Sequence, residues 1–178
     1  EQSSTNPHHV TSMALLSGSS SILIGNSAGK VTQWFEVATD NGRQFKNIRS
    51  FDVSETEAVA QIYTEQFRKS FYTMTLSGVV DVFYTTSEAH LWQGKISDGR
   101  PDAMVISPRA DGLLLINDNK LELFSVENEH PEVTWSALWQ EVWYEGYPEP
   151  DFIWQSTSGS DDFEAKFSLV PISFGTIK

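Results

Sequence analysis

The sequence predicts an all-β fold: a partial β-propeller of about three four-stranded antiparallel blades, followed by an aromatic-rich, partly helical appendage. Three observations carry this. Apolar and polar residues alternate with a period of two from Val10 to about Ser136, the pattern of half-buried strands. Turn residues interrupt that alternation every ~8–12 residues, the spacing of an all-β sandwich, barrel or propeller. The third is a repeat. Gly29-Lys30-Val31-Thr32-Gln33-Trp34, Gly78-Val79-Val80-Asp81-Val82-Phe83 and Asn119-Lys120-Leu121-Glu122-Leu123-Phe124 each place an aromatic five positions after a turn residue. Their starts lie 49 and 41 residues apart, and a four-stranded propeller blade uses about 40–50 residues.

The elements follow in order. Residues 1–9 are expected to be disordered or the start of a linker. The first blade, 10–54, draws its strands from 11–16, 22–24, 29–34 and 45–53. The second, 58–97, draws them from 60–63, 71–73, 78–83 and 90–96. The third, 102–137, uses 102–106, 113–115, 119–124 and, as its fourth strand, 133–137. Ser-Ala-Gly, Leu-Ser-Gly and Asn-Asp-Asn between second and third strands put Gly or Asn where a tight hairpin asks for positive φ. Beyond Ser136 the period changes. Trp135, Trp139, Val142 and Trp143 recur at helical spacing and would make one side of a short helix apolar; Pro148 and Pro150 end it. Tyr144, Tyr147, Phe152 and Trp154 follow in an extended segment, and 156–162 is polar.

These repeats resemble WD-repeat-like β-propeller blades over residues 10–137. The chain departs from that pattern at the end of the third strands, which read Trp34-Phe35, Phe83-Tyr84 and Phe124-Ser125 rather than Trp-Asp, and it lacks the usual Gly-His start. Three blades do not close a ring: either further blades lie upstream in the parent chain, or copies pair through the open end, an edge prone to self-association.

Composition narrows the functions. The 178 residues carry a net charge of −12, their basic residues are scattered, and cysteine is absent. Nucleic acid and anionic membrane surfaces need clustered Lys and Arg; thiolate metal sites, disulfides and a Cys nucleophile are excluded. No run of apolar residues reaches the ~18 of a membrane helix. The chain opens on Glu1 rather than Met and is expected to be a piece of a longer protein.

No motif for a cofactor or for catalysis stands out. Gly25-Asn26-Ser27-Ala28-Gly29-Lys30-Val31 superficially resembles a phosphate-binding loop, but it has one residue too few between its glycines, Val after the Lys, and strands on both sides. A hairpin turn is expected there. His8, His9, His90 and His130 show no metal-ligand spacing. Glu55/Glu57, Glu127/Glu129/Glu132 and Asp161/Asp162 read as solvated acidic loops, and no Gly-x-Ser-x-Gly elbow occurs. The chain is expected not to be an enzyme. Its densest unusual feature is aromatic: Trp135, Trp139, Trp143, Tyr144, Tyr147 and Trp154 form a candidate docking surface, since Trp and Tyr dominate interface hot spots. Packing of the appendage against the blades competes with that reading.

The final stretch carries a second resemblance. Phe163, Leu169, Val170, Pro171, Ile172, Gly175 and Thr176 are similar in pattern to the extracytoplasmic lead-in to a membrane helix in permease subunits of phosphate-type (PstC-like) ABC importers. The resemblance covers residues 138–178 and implies a soluble insert domain of such a permease, on the periplasmic side of a bacterial inner membrane. It further implies that the whole complex imports inorganic phosphate. The implied partners are the rest of the permease chain, a second permease subunit, an ABC ATPase and a phosphate-binding protein. The insert would then dock or support the complex, with Phe163, Leu169, Val170, Pro171 and Gly175 leading into a membrane segment absent from the chain. The alternative is a stand-alone propeller that scaffolds protein partners.

Overall fold

The computed structural model describes residues 8–108, 110–126, 130–158 and 164–175. Two four-stranded antiparallel sheets open the chain, each a meander in which every strand pairs with the next. The first holds β1 (Val10–Leu15), β2 (Ser21–Asn26), β3 (Lys30–Thr39) and β4 (Gly42–Asp52). The second holds β5 (Val59–Thr64), β6 (Ser70–Thr75), β7 (Val79–Tyr84) and β8 (His90–Lys95). A third sheet, β9 (Ala103–Ile106), β10 (Gly112–Asn117) and β11 (Lys120–Ser125), has three strands among the described residues.

The repeat extends to the irregularities. In the first sheet the register shifts between Val10 and Ser12 and again between Gln33 and Trp34. In the second it shifts between Val59 and Gln61 and between Val82 and Phe83. Those are the same positions counted from Gly29 and Gly78. A bulge bends its strand and adds twist, so both sheets are shaped alike and stack as blades.

The turn preceding each third strand explains its glycine. Gly29 has φ +74°, and a Cβ there would lie 2.0 Å from the Ser54 carbonyl oxygen. Its own carbonyl accepts from Val53 and Ser54 amides, tying the end of β4 to the β2–β3 turn. Gly78, φ +83°, does the same for β8 through the Ile96 amide, and a Cβ would meet the Ser97 carbonyl at 2.3 Å. Asn26 completes the first turn, its Oδ1 accepting from the amides of Ala28 and Lys30. The phosphate-loop look-alike is therefore a hairpin turn. In the third sheet Asp118 and Asn119 take the left-handed conformation at φ 48° and 62°, which these two residue types tolerate.

Two apolar cores lie between the sheets. Leu16, Leu23, Val31, Phe51 and Val53 from the first meet Val59, Phe71 and Phe83 from the second. Tyr72, Met74, Val80 and Val82, on the opposite face of the second sheet, meet Met104, Leu113, Leu115 and Val126. The middle sheet is thus buried on both faces, and all six residues of β6 are buried.

The third blade departs from expectation. Where a fourth strand was expected at 133–137, helix α1 (Trp135–Trp139) forms. Thr134 is its N-cap, accepting from the Ala137 amide at 3.1 Å, and a capped turn competes directly with strand pairing for the same backbone groups. The helix is also shorter than the apolar periodicity suggested. Gln140 is already extended, so Val142 and Trp143 do not continue the face of Trp135 and Trp139. They lie in an extended segment bridged between Val142 and Asp151. A short ribbon of β12 (Trp154–Gln155) and β13 (Lys166–Phe167) follows, then helix α2 (Val170–Gly175).

Candidate functional site

The appendage is fastened to the first two blades by a chain of buried polar groups. Gln33, Arg49, Ser21 and Lys69 stand at positions that sequence alternation would give to apolar side chains, and all four are buried. Arg49 donates from Nη1 to Gln33 Oε1 at 3.1 Å and from Nη2 to the Trp143 carbonyl at 2.5 Å. Its Nε faces Glu88 at 3.5 Å. Gln33 Nε2 in turn donates to Ser21 Oγ at 2.9 Å, and Ser21 Oγ donates to Glu145. The other oxygen of Glu145 accepts from Lys69 Nζ at 2.6 Å, which also donates to the Ser17 carbonyl at 2.6 Å. The relay runs from the outer strand β4 through β3 and β2 to the appendage and back into the second blade.

A second fastening involves Glu164. Tyr84 Oη donates to its carboxylate at 3.0 Å, and Thr86 Oγ1 donates to the same oxygen. Ser87 Oγ holds the Pro131 carbonyl at 2.7 Å. Lys166 Nζ lies over the Tyr144 ring at 5.2 Å from its centroid, a cation–π contact. Glu164, Lys166 and Tyr144 also line an open cavity of about 560 Å³, together with Phe35, Lys69 and Glu145 among others.

Burial sets the titration of this cluster. It raises the Glu164 carboxyl, against hydrogen bonds from Thr86 and Tyr84 and the nearby Lys69. It pushes the Tyr144 hydroxyl up to about 12, with Glu164 adding to the effect, and it lowers Arg49 against the pull of Glu88, Glu164 and Glu145. Within the second blade, burial also raises Asp81, although Gln93 and His90 donate to it. His90 Nε2 sits 2.8 Å from Asp81 Oδ1, and its ring stacks on Phe83 at 4.6 Å. His90 itself is exposed, and a fully buried carboxylate holds its ring. A carboxyl raised in the folded state binds its proton more tightly there than in the unfolded chain, so folding gains stability as pH falls through that window. For Glu164 and Asp81 the window opens above the ordinary values of 4.5 and 3.8. Urea midpoints are expected to rise as pH is lowered from about 7 towards about 5, and Asp81→Asn with Glu164→Gln is expected to flatten that rise.

The expected docking aromatics divide into two groups. Trp135, Trp139 and Trp154 are exposed by 78%, 47% and 43%. Trp143, Tyr144 and Tyr147 instead build the appendage's interior. Trp143 meets Phe35 edge-on at 6.3 Å and donates from Nε1 to the Tyr147 carbonyl, and Tyr144 is buried with Ala137 and Val142. Packing claims that half of the set because their rings sit on the blade side of the segment. Trp154 is steadied by Phe167 at 5.6 Å, edge-on.

In the expected lead-in, Leu169 donates its amide to the Leu138 carbonyl at 2.9 Å. Val170 and Pro171 open α2, and Gly175 is its last residue. Phe163 and Thr176 lie outside the described residues. No helix among the described residues is long and apolar enough to cross a membrane. Among them there is also no group of three or more His, Asp or Glu placed to hold a metal ion. Glu57 accepts from Ser77 Oγ at 2.8 Å and Glu132 faces His130 at 3.3 Å, whereas Glu127, Glu129, Asp161 and Asp162 lie outside the described residues.

No protein-family model and no curated relative matches the chain. Solved structures do. Sqt1 from Chaetomium thermophilum aligns with a TM-score of 0.52 at 17% identity, over 66% of this chain and 30% of that one. The same protein bound to the N-terminus of ribosomal protein L10 gives 0.52 at 16%, over 66% and 32%. A chain of the mitotic checkpoint complex gives 0.53 at 9%, over 72% and 38%. The chain spans about a third of the length of these structures. At such identities the likeness speaks to architecture alone, and the architecture is a stack of β-propeller blades.

Proposed function

We propose that this chain is a non-catalytic protein-docking module. The observation that carries the reading is the presentation of Trp135, Trp139 and Trp154 on an appendage locked down by the Arg49–Gln33–Ser21–Glu145–Lys69 relay. A tryptophan buries a large apolar area at little entropic cost when held rigidly, and such anchors dominate protein interfaces. Two of the structural neighbours support it: one is solved with a ribosomal protein segment bound, the other is a chain of a multi-protein complex. The test is a photo-crosslinking amino acid at position 135 in the full-length protein. A discrete protein adduct, lost when Trp139 and Trp154 are both changed to Ser, is expected; absence of any protein adduct overturns the reading.

The phosphate-importer setting is the second reading, with this module as the periplasmic insert of a permease. Helix α2 favours it. It starts within the expected lead-in, with Pro171 in its first turn, where proline suits a helix, and it leaves Ile172 and Phe174 exposed by 41% and 73%. The net charge of −12 argues that phosphate itself is handled elsewhere, leaving the phosphate-binding protein or the second permease subunit as the docking partner. The sequence of the parent gene past Lys178 decides this: an apolar span of about 20 residues supports it, and a polar continuation sinks it.

A further inference from the structure

The charge of this chain is concentrated in one stretch. Residues 121–165 hold 11 of its 24 acidic residues and none of its 12 Lys and Arg, so they carry −11 of the net −12 and the rest is close to neutral. On the blades, exposed carboxylates meet cations of the same blade: Asp52 lies 2.7 Å from Lys30, Glu36 3.2 Å from Arg43 and Asp98 2.6 Å from Lys95. The appendage differs. Glu141, Glu149 and Asp151 are exposed, and among the described residues none of the three has an ion-pair partner.

These carboxylates stand among the exposed tryptophans. Glu141 follows two residues after Trp139, and the bridge between Val142 and Asp151 folds the chain back so that Asp151 lies beside it. Leu138 accepts from the Leu169 amide and Ile153 from the Ser168 amide, so the residues preceding Trp139 and Trp154 are both held by the pair that follows β13. The only Lys or Arg between Lys120 and Lys178 is Lys166, and it already lies over the rings of Tyr144 and Tyr147.

We infer that this surface takes an arginine-rich segment of a partner protein. The inference rests on the docking reading above and gives the partner its chemistry. A guanidinium is attracted to the face of a tryptophan, and its fork also fits a carboxylate; here rings and unpaired carboxylates share one surface. An apolar partner would bury those carboxylates without counterions, at high cost. A further blade would be such a partner, since both blade junctions in this chain join apolar side chains. A solvating role accounts for the carboxylates but not for the tryptophans exposed among them.

The test is binding of a short synthetic peptide of alternating Arg and Leu to the full-length protein, beside an analogue with Gln in place of Arg. The arginine peptide is expected to bind at least about tenfold tighter and to weaken as salt rises. Glu141→Gln with Glu149→Gln and Asp151→Asn is expected to weaken it about tenfold. Glu36→Gln with Asp52→Asn and Asp98→Asn changes the net charge equally but is expected to leave it unaltered. Equal weakening by both sets means general attraction to an acidic protein and sinks the inference. So does unchanged affinity after Trp135→Ser with Trp139→Ser, because the carboxylates would then act without the rings. Crosslinking from position 135 separates this inference from the reading beneath it. A protein adduct that survives high salt and neutralisation of Glu141, Glu149 and Asp151 leaves docking standing and rejects the basic partner; no protein adduct overturns both.

Discussion

Phe71→Ala is expected to destabilise the chain by about 3–5 kcal/mol, the range for removing a buried aromatic and leaving a cavity behind. Phe71 is fully buried, with ring centroids of Phe51 at 4.9 Å and Phe83 at 5.4 Å. Those two rings lie 5.4 Å from each other, so the three form a closed aromatic cluster spanning the first and second blades. Phe83 continues it to His90 at 4.6 Å, and through His90 to Asp81. Truncating the ring removes contacts on both sides of the junction, and neither sheet can collapse into the gap without breaking strand pairing in β6. Urea unfolding followed by tryptophan fluorescence measures it. A loss below about 1 kcal/mol would mean that the junction repacks freely and that the blades are not held together by this core. Phe71→Leu, which refills most of the volume, is expected to recover much of the difference.

The blade repeat was legible in the sequence because it rests on local rules. Gly29, Gly78 and Asn119 sit where a tight turn requires positive φ, and the alternation of Val31, Val80 and Val82 fixes which face is inward. The appendage was less legible because its structure depends on distant partners. Nothing near Trp143 in sequence says that its carbonyl takes the Arg49 guanidinium, 94 residues away. The signal available was weaker: Gln33 lies between Val31 and Phe35 on the buried side of a strand, and a polar residue there needs a partner. The expected strand at 133–137 follows the four-stranded repeat and passes over Thr134, whose hydroxyl caps a helix there instead. Trp135, Trp139 and Trp143 share helical spacing, but Gln140 leaves the helix, so the third ring turned inward while the first two stayed outside. Spacing identified the aromatic cluster; only tertiary contacts separate anchors from packing.

Arg49→Ala is expected to cost about 3–5 kcal/mol, the scale for removing one partner from a buried charged network. The guanidinium is buried and fills three roles at once, holding Gln33, the Trp143 carbonyl and Glu88. Its loss leaves Gln33 Oε1 and the Trp143 carbonyl without their donor, and the charge on Glu88 without its counterion. Arg49→Lys is expected to recover only part, because an ammonium cannot reproduce the two-pronged donation of the guanidinium fork. The location of the loss matters more than its size. Arg49 grips the appendage at Trp143, so hydrogen exchange is expected to accelerate around residues 142–151 before it does in β6 or β7, whose amides report the blade core. Crosslinking from position 135 is expected to weaken in the same variant, since an appendage that moves no longer offers its tryptophans as a rigid surface and binding must then bear the ordering entropy. Unchanged crosslinking beside accelerated exchange would separate the relay from docking and leave it a role in stability alone.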